Sequence, residues 1–143
     1  MLIFDAHNHT MKKIIPAVLL AVILFGCAGK KAEKKALRDS LMEIHEKVMA
    51  VDEQATNNHM KLDTLLKQGN VTNKDSATTL SKNLSNAEEA MESWMNHYEE
   101  KKGWSDDEAI SYLRAQRKLM LAIDSQLNKA VNESSLYLKQ NKK

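Results

Sequence analysis

The chain is poor in the residues that build cross-linked or loop-rich folds. Its 143 residues include one cysteine, one proline and four glycines, with two tryptophans, three tyrosines and two phenylalanines. A single cysteine excludes a disulfide within the chain. The balance of 21 basic against 19 acidic residues excludes the strongly basic class of nucleic-acid-binding proteins, so no nucleic-acid partner is predicted.

The part of the chain that follows Cys27 has no proline and almost no run of β-branched residues. Its apolar residues recur instead at alternating spacings of three and four, which is the period of an amphipathic helix. The predicted fold is therefore all-α. We expect an antiparallel three-helix bundle (up-down-up) with coiled-coil character, preceded by a signal-peptide helix.

Residues 11–27, MKKIIPAVLLAVILFGC, have the layout of a secretory signal peptide, with a basic start and an apolar run. The run of about a dozen residues is roughly 18 Å long as a helix, too short for a hydrocarbon core of about 30 Å. The end of the run, Leu24-Phe25-Gly26-Cys27, resembles a lipobox. This resemblance predicts a signal peptide at 11–26 and acylation of Cys27, which anchors the chain in a membrane. The alternatives are an uncleaved anchor or an unmodified cysteine.

Residues 1–10 precede this segment and contain Phe4-Asp5-Ala6-His7-Asn8-His9. That stretch resembles the first strand of metal-dependent amidohydrolases of the TatD type, in which the H-x-H pair binds metal. Such an enzyme needs a barrel of roughly 250 residues, and the resemblance ends after ten. We therefore interpret residues 1–10 as an upstream start extension and predict no metal site there.

Residues 27–35 carry four lysines and are predicted to form a flexible tether. Contact of these lysines with anionic headgroups is the alternative. Ala28 stands where an aspartate would retain a Gram-negative lipoprotein in the inner membrane. The predicted location is therefore the outer membrane of a Gram-negative bacterium, with the domain on the periplasmic face.

The predicted domain covers residues 36–140, with helices at about 32–68, 75–102 and 106–139. Gly69 and Gly103 mark the predicted turns. We expect Thr72, Asp75 or Ser76 to cap the second helix, and Ser105 with Glu108 to form a capping box on the third. The apolar stripe of the first helix has one polar interruption, Asn58. The apolar stripes consist of Leu37, Leu41, Ile44, Val48, Val51, Ala55, Leu62 and Leu65; Ala77, Leu80, Leu84, Ala87, Met91, Trp94 and Tyr98; and Ile110, Leu113, Met120, Ile123 and Leu127.

The second and third helices are predicted to pair around the turn at Gly103, with Trp94 near Leu113 or Arg114. Acidic residues of the second helix would then face basic residues of the third. The predicted partners are Glu88, Glu89 and Glu92 on one side and Arg114, Arg117 and Lys118 on the other. A longer intermolecular coiled coil is the alternative architecture.

Three stretches, at 44–49 (IHEKVM), 89–95 (EAMESWM) and 112–118 (YLRAQRK), resemble sequences of small helical bacterial lipoproteins. These proteins are often automatically labelled "viral A-type inclusion protein". The resemblance covers nearly all of the chain after Cys27. It implies a helical lipoprotein and no particular activity.

Few residues suggest chemistry, and we predict a protein that is not an enzyme and holds no metal or cofactor. His45, His59 and His97 lack the Glu-x-x-His spacing of di-iron bundles, and the methionines at 42, 49, 60, 91, 95 and 120 are expected to pack rather than bind copper.

Ser76 follows an aspartate in a pattern on which some Gram-negative bacteria attach O-glycans, as do Ser40 and Thr64. Ser76 is the candidate O-glycosylation site, and a capping role is its alternative.

The leading hypothesis is a non-catalytic, lipid-anchored protein that binds another envelope component, predicted to be a protein, through its helical surface. The alternative is a structural spacer or peptidoglycan tether built as an oligomeric coiled coil, with Lys142-Lys143 as its attachment point. A metal-binding protein or an enzyme is a distant third.

Overall fold

The computed structural model describes the backbone of residues 11–141 and the side chains of residues 29–141. It contains three α-helices, α1 (Met11–Gln68), α2 (Lys74–His97) and α3 (Asp106–Gln140), and no strand within residues 11–141. The all-α prediction is confirmed. The predicted signal-peptide side chains, residues 1–10 and Lys142-Lys143 lie outside the described residues.

The core is built on positions that repeat every seven residues along each helix. Coiled-coil packing needs this repeat, because it keeps one stripe of each helix facing its neighbours. The stripes predicted from the sequence are therefore confirmed at their centres. The fully buried members are Leu41, Val48, Ala55 and Leu62 on α1; Ala77, Leu84 and Met91 on α2; and Leu113, Met120, Leu127 and Ser134 on α3.

Hydrogen bonds between different helices and their caps follow a consistent order along the sequence. Between α1 and α2, and between α2 and α3, residue numbers rise on one helix as they fall on the other. Between α1 and α3 they rise together. The pairs are His59 with Glu88 and Asp63 with Ser81; Trp94 with Gln116 and Asn73 with Tyr137; and Ser40 with Arg117 and Asn58 with Ser134.

The turn between α1 and α2 is stabilised by a left-handed glycine and an asparagine cap. Gly69 has φ +68°, a conformation that costs glycine little. The side chain of Asn73 accepts a hydrogen bond from the Ser76 N–H at 3.0 Å, so the predicted caps Thr72, Asp75 and Ser76 are wrong. Asn73 has the extended backbone of an N-cap residue, whereas the other two candidates within reach, Asp75 and Ser76, are already helical.

Helix α2 ends at His97, five residues before the predicted end. Tyr98 has extended backbone, and its ring stacks on Trp94 with centroids 4.9 Å apart. The Glu99 N–H donates to the Tyr112 hydroxyl at 2.9 Å. The Tyr98 N–H still donates to the Trp94 carbonyl at 2.9 Å, so the helical bonding stops at Glu99, whose N–H turns to Tyr112 of α3. This contact between helices leaves no local sequence signal.

The capping box predicted at the start of α3 is confirmed. The Ser105 hydroxyl accepts from the Glu108 N–H at 3.3 Å, and the Ser105 N–H donates to the Glu108 carboxylate at 2.8 Å. The hydrogen bond with the Ser105 hydroxyl, and then the bond from the Ser105 N–H, lower the pKa of the Glu108 carboxyl. Gly103 before it has φ +90° and supplies the predicted turn.

The ion pairs predicted between α2 and α3 do not form. Glu88 contacts His59 of α1 at 2.8 Å. Arg114 pairs with Glu33 of α1, and Arg117 donates to the Ser40 hydroxyl at 3.1 Å. These basic side chains of α3 and the Glu88 carboxylate all contact α1. Contacts with the long first helix therefore replace the ion pairs that were predicted between α2 and α3.

Candidate functional site

Cys27, the predicted lipid-attachment residue, belongs to α1, and its side chain lies outside the described residues. Within the predicted tether at 27–35, residues 29–35 are helical, and Lys30, Glu33 and Lys34 contact α3. Lys30 Nζ lies 2.7 Å from the Asp107 carboxylate, and Lys34 pairs with Asp106. The start of α3 thus supplies negative charge to the lysines next to the predicted anchor.

The ion pair of Arg38 with Glu100 also holds this end of the domain. The Arg38 guanidinium donates to both carboxylate oxygens of Glu100, with Nε 2.8 Å from Oε1. Glu100 also accepts from the Tyr98 hydroxyl at 2.9 Å. The hydrogen bond from Arg38 is the largest cause that lowers the pKa of Glu100. This end of α1 is therefore held against both the 98–105 connection and α3.

A concave surface lies at the opposite end of the described domain, between the last turns of α1 and α3. It is an open groove of about 780 Å³, and we call it the distal groove. Leu65 and Leu138 are half-buried in it, and Met60 is 57% exposed beside them. The remaining lining contributed by the described residues is polar and contains no acidic side chain; it comprises Asn57, Asn58, Lys61, Thr64, Ser135, Lys139 and Asn141.

Asn58, the predicted polar interruption of the α1 stripe, forms part of the distal groove and is only 8% exposed. Its amide nitrogen lies 3.0 Å from the Ser134 hydroxyl oxygen and 2.8 Å from that of Ser135. No group of residues 29–141 donates a hydrogen bond to its Oδ1. Asn58 thus connects α1 to α3 and retains one free acceptor.

The charged residues in the lining of the distal groove are two lysines, Lys61 and Lys139. Acidic residues at the same level of the domain, such as Asp63 and Glu88, contact His59 instead. Neither Lys61 nor Lys139 forms an ion pair with any residue of 29–141. The lysines at the Cys27 end, by contrast, include several that are paired.

The histidines are spread along the bundle. His59 contacts Glu88 and lies 3.9 Å from Asp63. The ring of His45 lies 5.4 Å from that of Trp94, and the ring nitrogen Nδ1 of His97 lies 2.6 Å from the Ser93 carbonyl oxygen. Within residues 29–141, no group of three or more His, Cys, Asp or Glu side chains is arranged to hold a metal ion.

Asp52 lies on the same side of α1 as His59, and sequence reasoning did not identify it. Its Oδ1 is buried without a hydrogen-bond donor. Burial, and then the negative charge of Glu88, raise the pKa of this carboxyl. An aspartate on a helix between core positions leaves no sequence signal for such burial, because the cover is supplied by α2.

The methionines divide between core and surface. Met91 and Met120 are fully buried, and Met49, Met60 and Met95 are 39 to 57% exposed.

Ser76, the candidate O-glycosylation residue, lies half-buried in the first turn of α2 rather than in the loop. Ser40 and Thr64 lie within α1, where Ser40 accepts from Arg117 and Thr64 donates to the Met60 carbonyl.

Comparisons with known proteins do not extend this description. Among the residues with described side chains, no helix is long and apolar enough to cross a bilayer. No protein-family profile, no curated protein and no solved structure matches the chain.

Proposed function

We propose that this chain is a lipid-anchored, non-catalytic helical protein of the bacterial cell envelope that binds another envelope component. The observation that carries the anchor is the segment 11–27, in which a basic start, a short apolar run and Leu24-Phe25-Gly26-Cys27 stand in the order of a lipoprotein signal. Two or three acyl chains on Cys27 would hold the protein on a bilayer.

The proposed location is the periplasmic face of the outer membrane of a Gram-negative bacterium. Ala28 supports it, because the residue after the acylated cysteine is not the aspartate that favours retention in the inner membrane. The resemblance to small helical bacterial lipoproteins is consistent with the same location. This family assignment is likewise a proposal.

We propose that the three helices form an antiparallel, up-down-up bundle. The order of the contacts supports this arrangement, because α2 runs against both α1 and α3 in every pair. The short connections at residues 69–73 and 98–105 favour it as well. Such a bundle places the distal groove at the end farthest from Cys27, because α1 rises roughly 1.5 Å per residue between Cys27 and the groove.

Binding through the bundle surface is supported by the distal groove, which combines half-buried leucines with two lysines that form no ion pair within residues 29–141. Recognition surfaces need an apolar area that excludes water and polar groups that fix orientation. The proposed partner is a protein of the envelope.

The intact mass of the protein extracted from its native host tests the anchor. We expect the mass of residues 27–143 plus acyl chains. A glycan on Ser76, the proposed modification site, would add a further increment, and a Ser76→Ala variant would remove it. An unmodified mass that begins at Met1 would contradict the anchor and the location inferred from it.

An oligomeric spacer or peptidoglycan tether is the alternative function. It requires the heptad stripe of α1 to face other chains, whereas Leu41, Val48 and Leu62 are fully buried by the helices of the same chain. Sedimentation of the mature protein in detergent separates the two proposals, because the spacer must be oligomeric. A stoichiometric metal in the purified protein would favour the third possibility, a metal-binding protein or an enzyme.

A further inference from the structure

We infer that the distal groove is the docking site for an acidic segment of a protein partner, which contributes apolar side chains to Leu65 and Leu138 and carboxylates to the rim. This inference rests on the proposed function, in which the bundle binds a protein of the envelope. It adds where the partner binds and which chemistry the partner presents.

The shape of the groove suits a short segment lying along two helices. One wall is formed by residues 57–65 of α1 and the other by residues 135–141 of α3. Nine residues of helix are about 13 Å long, so the groove accommodates two to three turns of a helical segment. Seating an amphipathic helix in an apolar groove is an established mode of peptide recognition.

The charge of the groove selects the partner. Lys61 and Lys139 stand on opposite walls, and no acidic side chain of residues 29–141 lines the space between them. Unpaired charges of one sign on a groove rim favour a partner of the opposite sign and repel a partner of the same sign.

Asn58 offers the docked segment an accessible acceptor. Its amide nitrogen is committed to Ser134 and Ser135, and its Oδ1 lacks a donor among residues 29–141. This oxygen retains contact with solvent, unlike Asp52 Oδ1, which is buried without a donor. An N–H or O–H group of the docked segment can therefore bond to it in place of water.

Site-specific photo-crosslinking in the native envelope tests this inference. A benzophenone amino acid replaces Met60, which is 57% exposed in the groove, and the matched control replaces Met95, which is 43% exposed on α2. We expect the probe at 60 to capture a protein whose crosslinked peptide, identified by mass spectrometry, is acidic. We expect the probe at 95 not to capture that peptide.

Charge reversal in the same experiment tests the electrostatic part. With the probe at 60, the Lys61→Glu/Lys139→Glu pair should lower the crosslink yield about tenfold, because two attractive rim contacts become repulsive. Lys61→Arg/Lys139→Arg should retain the yield. Lys101→Glu/Lys118→Glu changes two exposed lysines outside the groove and should also retain it. Circular dichroism with unchanged unfolding midpoints confirms that each variant folds.

Several results would overturn the inference. They are a crosslink from position 60 to a second copy of this chain, to lipid or to a peptide that is not acidic, and a yield that charge reversal leaves unchanged. Capture from position 95 but not from 60 would reject the groove and leave the binding function standing. Capture from neither position, in a protein whose mass shows acylation of Cys27, would reject partner binding and leave the anchor.

Discussion

The amide nitrogen of Asn58 lies 3.0 Å from the hydroxyl oxygen of Ser134, and this polar contact joins α1 to α3 inside an otherwise apolar core. Both residues occupy positions of the heptad stripes, where leucine would bury more apolar surface. A polar residue at such a position specifies which surfaces pair and in which register, because any shift leaves it without a partner.

Replacing Asn58 by alanine should lower the free energy of unfolding by about 1 to 3 kcal/mol, since it removes bonds to two serine hydroxyls and leaves a space in the interface. Urea unfolding followed by circular dichroism measures the change. The matched control is Asn57→Ala, an exposed asparagine on the same turn, which should change stability by no more than about 0.5 kcal/mol. Equal effects of the two substitutions would contradict a structural role for the Asn58 contact.

Replacing Asp52 by asparagine should stabilise the protein at pH 7. Burial and Glu88 raise the pKa of Asp52 in the folded state, so the ionised carboxylate disfavours folding above that pKa and the penalty disappears as the pH falls through it. The side chain keeps part of its solvation, and the expected gain is therefore about 0.5 to 1 kcal/mol. Urea unfolding at pH 7 and pH 4 should show a difference between the two proteins that shrinks at the lower pH.

The neighbouring Glu53→Gln provides the control for Asp52, because Glu53 is exposed on the same turn. It should leave stability unchanged within about 0.5 kcal/mol. A loss of stability in Asp52→Asn would mean that the carboxylate has a favourable partner in the folded protein.

Replacing Glu100 by glutamine should destabilise the protein by about 1 kcal/mol at pH 7, because it removes the charge that Arg38 binds with two hydrogen bonds. Arg38 lowers the pKa of Glu100, so the stabilisation is present above the unfolded value near 4.5 and is lost as the pH falls through the folded pKa. Thermal unfolding at pH 7 and pH 3 measures both. Glu99→Gln, at an exposed position one residue earlier, should show neither effect.

The helical segment that follows Cys27 should loosen when its partners on α3 are removed. The double substitution Asp106→Asn/Asp107→Asn abolishes the ion pairs with Lys34 and Lys30. We expect faster amide hydrogen exchange in residues 30–36 and little change in residues 55–62, because only the end near the anchor loses contacts. Unchanged exchange in 30–36 would show that the helix there does not depend on these pairs. High salt should produce a weaker version of the same effect.

The apolar stripes were predictable from the sequence because packing in a helical bundle depends on a repeat of three and four residues that is visible in one dimension. Leu41, Met91 and Leu127 are buried as the repeat requires. The capping box of Ser105 with Glu108 was predictable for a similar reason, since both partners lie within one turn. Local geometry alone determines such features.

The candidate site was not predictable to the same degree. The distal groove combines Lys61 with Lys139, which are 78 positions apart. No local sequence pattern indicates that these two side chains line the same groove. The early end of α2 at His97 depends on Tyr98 stacking on Trp94 and on contacts with Tyr112 of α3. The asparagine cap at Asn73 was missed because several residues of similar capping ability stand side by side.

The all-α class and the core residues of the described domain follow from the sequence alone, because burial of a periodic apolar face dominates the folding free energy. Which polar and charged groups meet depends on how the helices pack. Arg114 pairs with Glu33 rather than with the acidic residues of α2, and Asn58 meets Ser134 across the core. Hydrogen bonds and ion pairs act over a few ångströms, so they depend on the relative placement of whole helices, which no single stretch of sequence contains.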